Sequence, residues 1–320
     1  MSNLELSRAQ RLDQKVVELL PELSRSFAAR LIEGGKVMVN DEQQTKAGYK
    51  LRPGDSVTVD YDAAKEQIIQ HIELEVLYED RDCVVINKPV GVLTHSKGAF
   101  NPEATVATWL RQHVADQAAY PNKGKEQPDK KSRLFVGATR KTVGLSQLQR
   151  NRAGIVHRLD RATSGVMICA KTPEALSWLQ KQFSQRKTKK TYAAVVKGTM
   201  TPELALIDMP IERNPKLPAT FRVGPQGKSA RTTYRTISKG SKGNDYSLLQ
   251  LQPETGRTHQ LRVHLAHQGH PIVGDVLYGG EPADRLYLHA ESLEITIPKG
   301  HERKVFTVLV PAAFARKVRG

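Results

Sequence analysis

Cysteine is scarce and long apolar runs are missing from this chain of 320 residues. The two cysteines, Cys83 and Cys169, each lie inside an apolar run, which favours buried free thiols over a disulfide and fits a reducing cytoplasm. No run approaches the ~20 apolar residues that a membrane helix needs. Residues 1–10 lack the apolar core of a signal peptide, so we expect a cytoplasmic protein with no membrane partner.

Acidic residues are also few relative to basic ones: 33 against 49, for a net charge of +16. A charge of this size favours a polyanionic partner, nucleic acid more than an anionic membrane, although a solvated basic surface would have the same composition. Residues 1–65 contain ten basic and ten acidic residues, so the whole excess lies in residues 66–320. The length suggests about two domains.

Several motifs of well-known chemistry are absent. There is no phosphate-binding loop, dinucleotide fingerprint, serine nucleophile elbow or His-Glu-x-x-His zinc motif. Four histidines lie between Thr258 and Pro271 without a cysteine or acid among them, so hydrogen-bonding roles are favoured over a metal site. Paired-carboxylate hydrolysis needs a second acid, and Glu254, beside a proline, is a weak candidate. We predict no metal and no cofactor.

The first 62 residues are typical of a small separate unit, followed by a linker at 63–72. Apolar spacing and turn residues predict two helices, the second capped by Ser24, and then a hairpin: helices at 9–20 and 25–33, strands at 36–39 and 56–60. This order resembles the RNA-binding domain first recognised in a small-subunit ribosomal protein. The resemblance implies that three basic side chains contact RNA phosphates, namely Arg25, Arg30 and Lys36.

Residues 73–320 are predicted to form a second domain of mixed α+β class with a largely antiparallel sheet. Many strands joined mostly by hairpins, with few helices, indicate this class, and the last strands are predicted at 286–289, 293–297 and 305–310. Thr172-Pro173-Glu174 predicts the start of a helix, and Thr258 is a plausible cap for another. Residues 115–152 form a basic insert with little apolar pattern, which is typical of a flexible loop and compatible with an RNA clamp.

One stretch of this domain, residues 154–165, has an unusual composition. Asp160 lies between Arg158 and Arg161, and small residues then lead into the apolar run Val166–Ala170. Neighbouring guanidinium groups favour the charged form of a carboxylate. An apolar residue at every position of the run indicates a strand in the centre of a sheet. The sequence therefore predicts an ionised, accessible aspartate presented at the end of a buried strand.

Residues 73–311 resemble the RluA-type pseudouridine synthases through ordered motifs. The matching segments are Asn87-Lys88-Pro89-Val90-Gly91, His157–Gly165, Lys190–Gly198, Thr255–Leu265, Gly274-Asp275 and Leu288-His289-Ala290. The resemblance implies an isomerase that converts uridine to pseudouridine in RNA, most readily in large-subunit ribosomal RNA, working as a monomer. A synthase acting on transfer RNA, or a noncatalytic RNA-binding or ribosome-assembly factor, stays open as an alternative.

The resemblance also assigns roles to five residues. Asp160 matches the essential aspartate, which either attacks the sugar or abstracts a proton from its second carbon. Arg158 matches the arginine that enters the RNA stack when the uridine flips out, and Tyr192 the aromatic residue that stacks on the base. Arg257 matches the basic partner of the aspartate, and Leu261 an apolar residue of the uracil pocket. From the residues alone, Asp160 and Arg257 could be a structural ion pair, and Tyr192 and Leu261 core residues.

Overall fold

The fold is described from a computed structural model. It describes residues 10–21, 23, 25–61, 71–95, 103–119, 154–241 and 244–320. The predicted Ser24 cap, nearly all of the predicted linker and residues 120–152 of the basic insert lie outside these ranges. Within them, no helix is long and apolar enough to cross a membrane. Cys83 and Cys169 are buried free thiols, as predicted, and burial raises the pKa of both.

The helices and strands follow one another in a mixed α+β order. The helices are α1 (Leu12–Leu19), α2 (Arg25–Glu33), α3 (Val106–Ala119), α4 (Pro173–Ser184), α5 (Gln260–His267) and α6 (Ala312–Arg319). The strands are β1 (Val37–Val39), β2 (Glu42–Gln43), β3 (Val57–Val59), β4 (Glu75–Glu79), β5 (Cys83–Lys88), β6 (Ser164–Ala170), β7 (Lys189–Lys197), β8 (Leu204–Asp208), β9 (Ile211–Arg213), β10 (Phe221–Val223), β11 (Arg231–Lys239), β12 (Tyr246–Pro253), β13 (Leu288–Thr296) and β14 (Arg303–Thr307).

The described residues fall into two compact units. The first contains those up to residue 72 together with 95 and 103–109, and the second contains 73–94, 110–119 and those from 154 onward. In the first unit, α1, α2 and a three-stranded sheet of order β2-β1-β3 enclose a small apolar core. Asn40 and Asp41 turn the hairpin with φ of 52° and 64°, the left-handed conformation that a tight hairpin turn requires.

The second unit is built on one nine-stranded sheet. Its order is β4-β5-β6-β13-β7-β12-β11-β8, and β14 pairs with the end of β13. Only the contact of β6 with β13 is parallel among these named pairs, so the predicted antiparallel character is confirmed. β6 is buried at every position and has a neighbour on each side, which confirms the central strand. Thr172 caps α4 by accepting a hydrogen bond from the Ala175 amide, as predicted.

Three local features of the structure differ from the sequence predictions. The strands predicted at 286–289 and 293–297 are one strand, β13, with a register shift between Ala290 and Ser292 where its partners change. β8, β9, β10 and α6 were not predicted. Helix α5 begins with His259 as its N-terminal cap residue rather than Thr258. In the turn before the helix, the side chain of Gln260 accepts a hydrogen bond from the Arg257 amide at 3.0 Å.

Gly165 lies where the β6–β13 contact leaves no room for a side chain. Its φ is +117°, and a Cβ atom there would approach the carbonyl oxygen of Ala290 to 2.1 Å. Gly165→Ala should lower the free energy of unfolding by about 3 kcal/mol or more, because backbone strain adds to a clash with a main-chain atom. Urea unfolding measures this change.

The matched control for that substitution is Gly269→Ala. Gly269 also has a positive φ, +80°, but a Cβ atom there meets nothing within 4 Å. The control should therefore lose only the conformational contribution, about 1–2 kcal/mol. Equal losses for the two variants would contradict the steric argument at Gly165.

Candidate active site

The loop that carries Asp160 is fixed by the segment that follows β5. The Thr94 hydroxyl donates to the Leu159 carbonyl oxygen at 2.8 Å and lies 3.2 Å from the Leu159 nitrogen, which donates to it. The Gly91 amide donates to the Arg161 carbonyl oxygen at 2.9 Å. The Thr163 amide donates to the Asp160 carbonyl oxygen at 3.1 Å, which closes a turn just before β6. The backbone of Asp160 is therefore held on both sides.

Lys88 is a fully buried cation behind this loop. Its ammonium donates to the carbonyl oxygens of Pro89, Val92 and Arg161 at 2.9, 2.8 and 3.3 Å. Burial lowers the pKa of Lys88 to about 8, against the opposing charge of Asp160. Three carbonyl acceptors replace the water that the ammonium loses, so Lys88 joins the end of β5 to the aspartate loop.

A pocket of about 560 Å³ opens in front of the loop. The five residues that the sequence assigned to chemistry and base flipping all line it: Arg158, Asp160, Tyr192, Arg257 and Leu261. They come from the β6 loop, from β7, from the turn after β12 and from α5, so the tertiary fold brings together residues up to a hundred positions apart. The volume lies within the range of small-molecule sites.

Asp160 is partly accessible, with 19% of its side chain exposed, and its carboxylate faces Arg262. The Nη1 atom of Arg262 lies 3.4 Å from Asp160 Oδ2. Two shorter hydrogen bonds, both 2.7 Å, join Arg262 to the carboxylate of Asp275, whose side chain is 1% exposed. The guanidinium also stacks on the ring of Tyr278 at 4.9 Å. Asp275 and Tyr278 therefore hold the Arg262 guanidinium in place, and its Nη1 atom is directed toward Asp160.

The expected pairing of Arg257 with Asp160 is wrong. The Nε atom of Arg257 donates to the Ser229 carbonyl oxygen at 2.9 Å, and Arg262 takes the place beside the aspartate. Arg257 lies in the turn before α5, whereas Arg262 lies in the first turn of the helix, which directs its side chain toward the loop. Both arginines belong to the same motif. The sequence signal that favours Arg262 is the separate motif Gly274-Asp275, whose Asp275 is the buried partner of Arg262.

Tyr192 and Leu261 both pack against the core and line the pocket, while their roles toward a base stay predictions. Tyr192 lies at the start of β7 opposite Leu251, packs against the hydrophobic core and lines the pocket. Burial, with the charge of Asp160 second, raises the pKa of Tyr192, so its phenol is protonated at neutral pH. Leu261 is a core residue that also forms part of the pocket wall. Arg158 is exposed at the same pocket.

Two further titratable groups line the pocket. Lys190 donates to the Thr255 carbonyl oxygen at 3.2 Å, and burial lowers its pKa to about 8. His157 stacks on Phe183 with ring centroids 4.6 Å apart and accepts a hydrogen bond from the Ile168 amide at 3.1 Å. Burial, with the nearby Lys190 charge second, lowers the pKa of His157 to about 3. His157 is therefore neutral and structural, and the pocket wall carries several cations beside the carboxylates of Asp160 and Glu254.

The other histidines of this region make hydrogen bonds. His264 is buried, with Nδ1 3.0 Å from the Thr232 hydroxyl and Nε2 3.0 Å from the Met209 carbonyl oxygen. His270 Nδ1 lies 2.9 Å from the Lys197 carbonyl oxygen. Across the described ranges, no group of three or more His, Cys, Asp and Glu residues could hold a metal ion. Their hydrogen bonds account for His264 and His270 as structural residues.

In the first unit, the three basic residues assigned to RNA are exposed, and each also has an intramolecular contact. Arg25 pairs with the buried Asp13 at 2.9 Å, and Lys36 pairs with Asp60 at 2.9 Å. The Arg30 guanidinium lies over the Phe27 ring at 5.2 Å. Their role toward RNA stays a prediction. The contacts orient these side chains, while more than half of the Arg25 and Lys36 side chains stays exposed.

Comparison with known proteins finds two family matches and several relatives. The family described as RNA pseudouridylate synthase matches residues 82–267, and the S4 domain matches residues 10–57. The ribosomal large subunit pseudouridine synthase D of Yersinia pestis is 36% identical over 302 residues, covering 94% of this chain and 82% of that protein. An uncharacterized RNA pseudouridine synthase of Aquifex aeolicus is 35% identical over 272 residues, covering 84% and 77%.

A solved structure is similar to this chain in fold. The human RNA pseudouridylate synthase domain containing 1 is 27% identical, with a TM-score of 0.51, and the alignment covers 75% of this chain and 84% of that one. The family match extends over more than half of the chain, and the relatives exceed 30% identity over most of their length. The chain therefore belongs to the RNA pseudouridylate synthase family and carries an S4 domain at its N-terminal end.

Proposed function

We propose that this enzyme isomerises uridine to pseudouridine in large-subunit ribosomal RNA, with Asp160 acting on a flipped-out nucleotide. The observation that carries the proposal is the partly accessible Asp160 carboxylate, 3.4 Å from Arg262, in a pocket that Tyr192 also lines. The ribosomal target is inferred from relatives that are named for the large subunit. The net charge of +16 suits an RNA substrate.

The reaction needs a carboxylate, Asp160, with a cation beside it, Arg262. The bond between N1 of uracil and C1′ of the sugar breaks, the base turns, and a bond forms between C5 and C1′. The proton on C5 is then lost and N1 regains one, so atoms and electrons balance without a redox partner. Asp160 either attacks C1′, forming a bond that breaks when C5 attaches, or removes a proton from C2′ that is returned afterwards. Arg262 lies beside the carboxylate in both cases.

Access to the uridine requires the base to leave the stack. Extrusion of a base costs a few kcal/mol. Arg158, exposed at the pocket, is placed to fill the gap with a planar cation. Tyr192 offers an aromatic ring for the base, and Leu261 offers apolar surface. These roles make Arg158, Tyr192 and Leu261 binding residues, and Arg257 contributes positive charge at the pocket wall.

The N-terminal unit (residues 1–62) is proposed to supply affinity and not chemistry. Replacing Arg25, Arg30 and Lys36 together by Gln should weaken RNA binding, because up to three phosphate contacts disappear. The negative slope of log affinity against log salt should become shallower by about 2. Fluorescence anisotropy at several salt concentrations measures this slope. The control replaces two exposed lysines of the same unit, Lys46 and Lys50, by Gln. An equal loss in the control would contradict the assignment of these three residues.

The rival is a noncatalytic RNA-binding factor on the same scaffold, or a synthase for transfer RNA. Mapping pseudouridine in total RNA, with and without the gene, decides among the three. Loss of one or more sites in large-subunit RNA supports the proposal. Loss confined to transfer RNA supports the second alternative, and an unchanged map together with inactive purified protein supports the first.

We infer that a monomer suffices for activity, since the fold of a single chain brings Asp160, Arg262 and Tyr192 together at one pocket. A cytoplasmic site of action is inferred from the ribosomal relatives. Light scattering after gel filtration tests the first inference, and a stable dimer as the sole active species would contradict it.

A further inference from the structure

His259 lies beside Asp160 but takes no part in the proposed bond changes. It lies immediately before α5 in a left-handed backbone conformation, with φ 57° and ψ 20°. In this conformation its ring enters the pocket, where Nε2 is 3.9 Å from Asp160 Oδ2. The distance is too long for a direct hydrogen bond, so the two groups face each other across a narrow gap.

The ring of His259 is held by two aromatic neighbours. It meets Phe221 edge-on with centroids 5.7 Å apart, and Tyr278 edge-on at 5.6 Å. The Tyr278 hydroxyl lies 2.7 Å from His259 Nδ1. The ring therefore cannot flip about its Cβ–Cγ bond without losing this hydrogen bond, because the flip would put a carbon in the place of Nδ1.

The Tyr278 hydroxyl also determines which nitrogen of His259 carries the proton. The Phe221 amide donates to the hydroxyl oxygen at 3.0 Å, which leaves the phenolic proton available for Nδ1. When Nδ1 accepts, a neutral imidazole must carry its own proton on Nε2, the atom that faces Asp160. Burial, together with Arg262 and Arg158, lowers the pKa of His259 against the opposing effect of Asp160 and Asp275, so the neutral ring is favoured.

A donor on Nε2 and an acceptor on Oδ2, 3.9 Å apart, suit one hydroxyl group. A hydroxyl oxygen about 2.8 Å from each can accept from the first and donate to the second. A carbonyl oxygen could only accept and would repel the carboxylate. The proposed reaction places Asp160 at C1′ or C2′ of the sugar, and the hydroxyl bonded to C2′ is the nearest one to both positions.

We propose that His259 is a specificity residue for the 2′-hydroxyl of the target uridine, which it holds against Asp160, and that Tyr278 is the positioning residue that directs Nε2–H toward it. The inference rests on the proposed function and extends it, since it names the group by which the site distinguishes ribose from deoxyribose. The ring of Tyr278 additionally supports Arg262, so one side chain orients both neighbours of the aspartate.

The test uses the full-length enzyme and two synthetic fragments of large-subunit ribosomal RNA that differ at the modified uridine, with ribose in one and 2′-deoxyribose in the other. Single-turnover rates and dissociation constants are measured for wild type, His259→Asn and Tyr278→Phe. Asn tolerates the left-handed backbone of position 259 but is too short to place a donor at Nε2. His267→Asn is the matched control, an exposed histidine at the end of the same helix.

His259→Asn should lower the single-turnover rate about tenfold on the ribose RNA, which is the factor that one hydrogen bond contributes. On the deoxyribose RNA the rate should fall less than twofold. Tyr278→Phe should lose part of the same discrimination, and His267→Asn none. Equal losses of His259→Asn on both RNAs would overturn the inference and leave the proposed function intact. If no variant converts the deoxyribose RNA, the ratio of dissociation constants decides by the same criteria. A wild type inactive on both RNAs overturns the proposed function and this inference together.

Discussion

Asp160→Asn should lower the rate of uridine isomerisation by about 10⁴-fold while leaving the fold and RNA affinity nearly unchanged. The amide has the shape of the carboxylate, but it neither attacks a sugar carbon nor accepts a proton from one at a useful rate. The Asp160 carboxylate has long contacts with Arg262, at 3.4 Å, and with His259, at 3.9 Å, so the substitution breaks no short hydrogen bond to either residue. Single-turnover conversion of an rRNA fragment measures the effect.

The matched control is Asp245→Asn, which changes an exposed carboxylate of the same unit outside the pocket. It should convert RNA at the wild-type rate. A variant Asp160→Asn that still forms pseudouridine within tenfold of wild type would exclude Asp160 as the catalytic group. Loss of RNA binding together with activity would instead assign Asp160 to substrate recognition.

Arg262→Met should have the second largest effect, because it acts on stability and on chemistry at once. Asp275, with 1% of its side chain exposed, would stay buried without its partner. Breaking a buried ion pair in this way costs about 3–5 kcal/mol of unfolding free energy. Asp160 would lose its neighbouring cation as well, and we expect conversion to fall by about 10²-fold or more. Urea unfolding and single-turnover rates measure the two effects separately.

A double variant separates these two effects. Arg262→Met combined with Asp275→Leu removes both charges of the buried pair, and such replacements are often neutral or stabilising. Stability should therefore return toward wild type while activity stays low. Recovery of activity together with stability would show that Arg262 supports only the fold. Arg257→Met is the control at the other arginine of the motif, and it should cost less than about 1.5 kcal/mol, the value of one hydrogen bond to a carbonyl oxygen.

The local features of this fold could be predicted from the sequence. β6 is apolar at every position, so its place in the centre of the sheet follows from composition. Thr172 and Pro173 begin α4 because a capping hydroxyl and a fixed φ act within one turn of helix. β8, β9 and β10 escaped prediction because short strands on a sheet edge or in a separate two-stranded sheet have little periodicity.

The position of β13 shows where local reasoning stops. Its first half pairs with β6 and its second half with β14, while β7 accompanies it on the other side. The polar residues Glu291 and Ser292 are typical of a turn when only neighbours in sequence are considered. Partners from three distant segments make the stretch one strand, and their contribution is not encoded in the residues of β13 alone.

The sequence by itself was enough to predict the family, the position of Asp160 before a buried strand, and four more of the residues that line the pocket. Ordered motifs located Asp160, Tyr192 and Leu261, because each motif keeps its chemistry within a few residues. Tertiary structure decided that Arg262 and not Arg257 meets Asp160, and that Asp275, Tyr278 and His259 complete the arrangement. The physical reason is direction: a motif states which side chains exist, whereas helix phase and strand register decide where each of them points.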